Sequence, residues 1–187
     1  VVSAENTEKE QNLFFDTMRS SIAMQKERGV PLSIVADFNG SARASSIDRS
    51  FFESLGITLF GLSEKPGAIS HRIVPEGSSL LVCAHEIERL RKEGKTPAEK
   101  GVSLGYMPDC DGDRGNIVYW NEKLNKALPL EAQEVFALSV IAELAHLVYL
   151  EKSKVIKGKK AHPPIGIAIN DPTSLRIEAI AQAFGAD

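Results

Sequence analysis

Two short apolar runs, residues 32–38 and 57–62, flank a segment in which Ile47, Phe51 and Leu55 recur at every fourth position. Apolar runs of that length bounded by turn residues read as strands, and a repeat of four reads as one face of a helix. Strand, helix and strand with short joints predict a parallel pair with a right-handed crossover. Asn39-Gly40 marks the turn out of the first strand, and Gly56 closes the helix. A second amphipathic helix follows a Pro- and Gly-containing loop over 63–77, with Leu80, Ala84 and Ile87 inward, Glu88 and Lys92 as an i, i+4 pair, and Gly94 at its end. Residues 102–107 predict a third strand. Residues 115–120 resume as a strand too soon for a crossover, so they must return antiparallel to a neighbour. The expected fold is a three-layer α/β/α sandwich with a mixed, mainly parallel sheet of about four strands.

The flanks read differently. Residues 1–29 predict an N-terminal helix and linker, with a capping-box pattern at Thr7 to Glu10, Phe14, Met18 and Ile22 on one face, and Gly29 and Pro31 as the stop. Residues 30–128 hold the sandwich. Residues 129–187 predict the start of a second α/β domain. It comprises a long apolar helix to about residue 150, a lysine-rich connector over 152–160, a strand over 165–169, and a helix capped by Thr173-Ser174 and running to Phe184. A lone strand and helix cannot close a core, so the second domain is expected to be partial.

A net charge of -3 gives no general attraction for nucleic acid or an anionic membrane. The lysine-rich connector lacks interleaved aromatics and reads as a solvated segment. No nucleic-acid or membrane partner is therefore expected. The apolar stretch 132–150 is broken by Gln133, Glu134, Glu143 and His146, and reads as the buried helix of a soluble protein. Two cysteines, Cys83 and Cys110, make no Cys-x-x-Cys, and the N-terminal residues lack an apolar signal core, so a reducing cytoplasm is the expected setting. Cys83 falls on the inner face of its helix and is expected to be inert; Cys110 reads as a spacer between two aspartates.

Those aspartates belong to the chain's most informative segment. Residues 109–114, Asp-Cys-Asp-Gly-Asp-Arg, place three carboxylates two apart and an arginine beside them, directly after the third strand. Carboxylates this close repel unless a cation lies among them, and oxygen donors suit a hard ion such as Mg²⁺. Extended, the outer Cα atoms would lie roughly 13 Å apart, so the backbone must curl for all three to share an ion, and Gly112 permits it. Arg114 adds a planar fork suited to phosphate. The competing reading is a solvated acidic turn. An EF-hand fails, because its sixth position, Gly, is Arg114 and its twelfth, Glu, is Trp120. An Asp-x-Asp glycosyltransferase explains Asp109 and Asp111 but not Asp113, Arg114 or the immediate return strand.

Other candidates are weaker. His71, beside Arg72, is a candidate phosphate contact. Asp37 is expected to stabilise the Asn39-Gly40 turn through an Asx hydrogen bond, and Ser41 and Arg43 are candidate anion contacts at a helix start. His85 and His146 sit among apolar helical neighbours and read as packing or partly exposed residues, not ligands.

At its acidic segment the chain resembles the α-D-phosphohexomutases, the phosphoglucomutase and phosphomannomutase superfamily, whose metal loop is Asp-x-Asp-x-Asp-Arg. Residues 34–40, the Leu55-Gly56 pair, the loop from His71 to Glu76, and Thr173-Ser174 and Phe184-Gly185-Ala186 are similar to further family segments. The resemblance covers most of residues 30–187, as the whole second domain and the start of the third. It implies phosphoryl transfer between the C1 and C6 oxygens of a hexose through a phosphoserine and a hexose bisphosphate. Asp109, Asp111 and Asp113 would hold Mg²⁺ and Arg114 would serve catalysis and phosphate binding. It implies hexose phosphate, hexose bisphosphate and the remaining domains of the enzyme as partners. The chain departs from the family pattern too: no histidine is followed by Asn, as the phosphoserine motif requires, and no Ser-Gly pair occurs. Ile69-Ser70 stands where the family has Phe-Pro. The expectation is a metal-binding portion that is inactive alone, with a glycosyltransferase or a non-catalytic mutase-like binding protein as the alternatives.

Overall fold

The structure is a computed structural model that describes the backbone of residues 4–152, 166–171 and 173–186, with side chains described over 15–149 and in the two later stretches. The chain forms two units, Val1–Pro129 and Leu130–Asp187.

The first unit contains α1 (Ala4–Glu27), β1 (Ser33–Asp37), α2 (Asp48–Ser54), β2 (Thr58–Leu62), α3 (Leu81–Glu93), α4 (Pro97–Gly101), β3 (Leu104–Pro108), β4 (Gly115–Asn121) and β5 (Lys126–Pro129). The sheet order is β2-β1-β3-β4-β5. The pairs β1–β2 and β1–β3 are parallel, and β3–β4 and β4–β5 are antiparallel. The α/β sandwich with a mixed sheet is therefore as expected, and 115–121 returns antiparallel on β3 itself. The fifth strand is the addition. Lys-Ala-Leu-Pro is too short to show alternation, and its turn is built by Asn121, whose Oδ1 accepts the Lys123 and Leu124 N–H groups at 3.1 Å, with Asn125 at φ 49°.

Both faces of the sheet are covered, which is why all five residues of β1 are buried. The pleat sends Ile34, Ala36 and Phe38 to one side, where they meet Leu59 and the half-buried Phe52 and Tyr106. Val35 goes to the other side, against Cys83, Ala84, Ile87 and Leu90 of α3, joined by Val102, Met107 and Val118. Burying an aliphatic side chain as fully as Ile87 contributes about 1.5–3 kcal/mol. Helix α3 comes close because β3 carries Gly105: a Cβ there would stand 2.3 Å from Cys83 Sγ and 3.1 Å from Ile87 Cδ1. Burial pushes the Cys83 thiol well above its ordinary range, in keeping with an inert packing residue.

Three local expectations are corrected. Ile47 lies outside α2 and is 69% exposed; Phe51 and Phe52 supply its packing face instead. Glu88 does not reach Lys92: its Oε1 accepts the Ala127 N–H at 3.2 Å, tying α3 to the edge strand. Helix α4 was not anticipated, although its signal is present: Thr96 accepts the Glu99 N–H, the Glu99 carboxylate accepts the Thr96 N–H, and Pro97 occupies the first turn. Helix α1 ends at Glu27, just before Gly29 at φ 70°, and sets Phe15 edge-on to Phe51 at 6.0 Å between centroids. The side chains of Thr7 to Glu10 and Phe14 lie outside the described residues.

The second unit contains α5 (Ala132–Lys152) and α6 (Arg176–Phe184). Leu144, Ala181 and Ala186 form its core with the half-buried Val140, Leu147, Ile167 and Ile180. The Ser174 hydroxyl accepts the Arg176 N–H at 3.3 Å at the entry to α6, and Gly185, φ 70°, ends that helix. The expected strand over 165–169 is absent where described: 166–170 has no regular structure, because no strand of this unit offers it a ladder among the described residues. Residues 153–160 of the lysine-rich connector and His162 lie outside the described residues. The expected burial of α5 is also corrected. Between 132 and 149 only Ala137 and Leu144 are buried, and Phe136, Leu138 and Ile141 are exposed. One short helix and a loop cannot cover all sides of a 21-residue helix. By length and composition α5 is apolar enough to cross a membrane.

Gly105→Ala should destabilise the first unit by about 1–3 kcal/mol through overpacking against Cys83. Urea unfolding of Gly105→Ala, Cys83→Ala and the double variant checks it: the double variant should recover part of the loss, and additive costs would show that the two sites do not touch.

Candidate metal centre

Strands β3 and β4 are joined by the acidic segment alone, since Pro108 pairs with Gly115. The six residues between must reverse the chain, which draws the aspartates inward. The Asp109 N–H donates to Arg114 O at 3.0 Å and closes the loop. Gly112 sits at φ 81°, a left-handed conformation that side chains resist. The Arg43 stem lies directly over it, and a Cβ on Gly112 would stand 2.6 Å from Arg43 Cγ and Cδ. The Ala42 N–H donates to Cys110 O at 3.0 Å, so the segment after β1 braces the loop from the other side.

As a result Asp109, Asp111 and Asp113 each offer a carboxylate oxygen, all within 4.8 Å of one another. Asp109 is 5% exposed; Asp111 and Asp113 are exposed. Asp109 Oδ1 accepts the Gly112 and Arg114 N–H groups at 3.0 and 3.2 Å, and Oδ2 accepts Arg114 Nε at 2.9 Å. Burial alone would raise the Asp109 carboxyl. The backbone N–H groups and the guanidinium outweigh it and hold the carboxyl below its ordinary value. Arg114 also lies 3.6 Å from Asp113 Oδ1, with its side chain 75% exposed. One edge of the fork is engaged with carboxylate; among the described residues no hydrogen bond reaches its Nη groups.

The donor set fits Mg²⁺. Octahedral coordination at about 2.0–2.1 Å puts adjacent ligand oxygens roughly 2.9 Å apart and opposite ones roughly 4.1 Å apart. The triad needs only a small contraction, and Asp111 and Asp113, being exposed, are able to move.

His71 does not join this cluster. Its Nε2 lies 2.8 Å from Oδ2 of the buried Asp37, and its Nδ1 lies 3.1 Å from Arg72 O. Both ring nitrogens are occupied by the protein. Asp37 Oδ1 accepts the Asn39 N–H at 3.1 Å, the expected Asx bond. Asn39 itself was unforeseen as an anchor: its side chain accepts from the Ser70 and His71 N–H groups at 2.9 and 3.2 Å and donates to His71 O at 3.0 Å. At Gly40, φ 67°, the Ala68 backbone approaches so closely that a Cβ would stand 2.7 Å from it. Buried Asn116 donates to Pro75 O at 2.6 Å. The loops after β1 and β2 are thereby fixed at the same sheet edge as the acidic segment.

Arg43 is committed to the buried Asp48 carboxylate, which also accepts the Tyr106 hydroxyl at 3.1 Å. Burial and the neighbouring Asp48 charge push the Tyr106 phenol well up. Ser41 is buried and its hydroxyl has no partner among the described residues. His85 is an exposed residue of α3.

Because the folded Asp109 carboxyl titrates below its unfolded value, its stabilisation is present above about pH 4 and is lost as pH falls through the folded value. Acid titration by NMR should show Asp109 titrating below the ordinary aspartate range, and Arg114→Ala should raise it. An unchanged Asp109 midpoint in that variant would mean the ion pair is not formed.

No protein-family model matches the chain, and no curated protein matches it.

Proposed function

We infer that the chain is the metal-binding portion of a phosphohexomutase that moves a phosphoryl group between two oxygens of a hexose phosphate. The convergence of Asp109, Asp111 and Asp113 beside Arg114, at the carboxyl edge of β3, carries this reading. Open α/β sheets place ligands at that edge. Asp113 shares the focus of the other two, which speaks against the Asp-x-Asp glycosyltransferase reading, where it has no task.

Asp109, Asp111 and Asp113 would hold Mg²⁺, which, when bound, neutralises charge on phosphoryl oxygens. The chain's own contribution is placement. Asp109 is locked by backbone N–H groups, so its oxygens stay aimed while the exposed carboxylates adjust. Arg114 is held through Nε, which leaves its outer edge for a phosphoryl group as charge develops. His71 acts as an anchor of the 63–77 loop through Asp37 and not as a phosphate ligand. The phosphoserine that gives up and takes back the phosphoryl group, and the loops that grip hexose phosphate and hexose bisphosphate, would come from the remaining domains of the same enzyme. No Ser-His-Asn stretch is present in the chain.

Mg²⁺ should bind with one site by calorimetry, and Asp111→Asn should weaken it at least about ten-fold, since one of three anionic ligands is lost. Absence of saturable heat, or an unchanged isotherm in the variant, would return the loop to a solvated turn. The 187 residues alone should not convert glucose 1-phosphate to the 6-phosphate. Clear turnover would refute the view that the missing serine is essential.

A further inference from the structure

The end of the sheet remote from the acidic loop carries a cavity of opposite charge. Strand β4 runs from Gly115 beside that loop to Asn121, about 20 Å away at 3.3–3.4 Å per residue. There Arg91 and Lys92 from the end of α3, Lys100 from α4, Lys126 from β5 and Trp120 from β4 line a cavity of about 610 Å³. That volume falls within the usual range for small-molecule sites, roughly 300–1,000 Å³. Four permanent or near-permanent cations face the Glu88 carboxylate, whose Oε1 is already engaged by the Ala127 N–H, and a second carboxylate, Glu122, pairs with Arg91 from outside the lining.

Two features separate this cavity from a scatter of surface lysines. Arg91 is fixed: its guanidinium lies 4.3 Å from the Trp120 ring centroid, donates to Val102 O at 3.0 Å, and meets Glu122 at 3.1 Å. Its side chain is 20% exposed, so the cation is held at the cavity wall and not dispersed in solvent. The second feature is the indole of Trp120. Its Nε1 is buried and has no hydrogen-bond partner among the described residues. A buried N–H without an acceptor costs about 1–3 kcal/mol, and Trp nitrogen is donor-only, so what it lacks is an acceptor.

We propose that this cavity binds a small polyanion of the phosphate-ester class, with Arg91, Lys92, Lys100 and Lys126 supplying the countercharge and Trp120 Nε1 donating to one of its oxygens. Glu88 and Glu122 offset two of the four cations, so a monoanion would still leave positive charge uncompensated, whereas two linked phosphoryl groups present enough charge and enough acceptors. The ligand needs no metal here, because the cations are the protein's own. The site is independent of the acidic loop, and either assignment stands or falls without the other.

Trp120 is the single tryptophan of the chain, so the cavity has its own reporter. Inorganic pyrophosphate titrated into the 187-residue protein, in EDTA and at constant ionic strength, should give a saturable change in tryptophan emission and a one-site calorimetric isotherm. Lys92→Ala/Lys100→Ala should weaken binding at least ten-fold. Trp120→Phe, followed by calorimetry, should weaken it several-fold while keeping the ring. Lys123→Ala, which removes a charge on the neighbouring turn outside the cavity, should leave affinity within two-fold. Thermal melts matched to the parent establish that each variant is folded. No saturable heat with the parent protein overturns the proposal. So does undiminished binding in the double lysine variant or in Trp120→Phe, or a loss in Lys123→Ala equal to that of the double variant.

Discussion

The hairpin closure at Asp109 is the constraint on which the acidic edge depends. Three negative side chains within five residues would drive an open loop apart. Here the first is neutralised in place by two backbone N–H groups and the Arg114 guanidinium, and its own N–H ties back to Arg114 O. With Asp109 fixed and buried, the remaining repulsion falls on two carboxylates that stay in water, where charge is well screened. The loop's own hydrogen bonds therefore keep its carboxylates together, as the proposed metal site would need. Pre-organisation of this kind lowers the cost of binding.

That closure is useful only because the neighbouring loops are equally fixed. Asn39 and Asp37 hold the backbone around His71, Gly40 lets Ala68 approach, and Asn116 holds Pro75. The Asp37, Asn39 and Asn116 side chains are buried polar groups with partners supplied by another loop. Removing any one leaves an unsatisfied group as well as a freed loop, so the edge is cooperative in construction. Below it, Gly105 lets α3 lie against β3, and the packed layers set the height at which the loops emerge.

Much of the sheet was legible because its signals are local. The apolar run over 32–38, the four-residue repeat before Gly56 and the short span between the third and fourth strands each specify geometry over a few residues. The acidic segment was legible for the same reason, being contiguous. Where contacts are long-range, the reading failed. Asn39 and Asn116 look like ordinary turn and strand residues, and only the fold brings them to Ser70 and Pro75. His71 looked available for phosphate because Asp37, far away in sequence, claims its ring only in the folded chain. Ile47 was placed on the wrong side of a helix boundary, where patterns are weakest. The run at 165–169 shows the opposite limit: over its described part, 166–169, a strand-like composition makes no strand where no described strand offers it a ladder. Burial of α5 was read from its apolarity, yet apolarity states what a helix tends to bury and not whether its own unit has the surface to bury it.

The short fifth strand has a bearing on how this sheet behaves beside copies of itself. It spans four residues, opens with a lysine and closes with Pro129, which has no N–H to offer. At the opposite margin, the Glu64 carboxylate, paired with Arg49, lies over Gly61 of β2. A neighbouring chain seeking to extend the ladder meets a missing donor at one rim and the hydrated Arg49–Glu64 ion pair at the other. Such margins discourage intermolecular β-aggregation while leaving the interior strands free to be strongly hydrophobic.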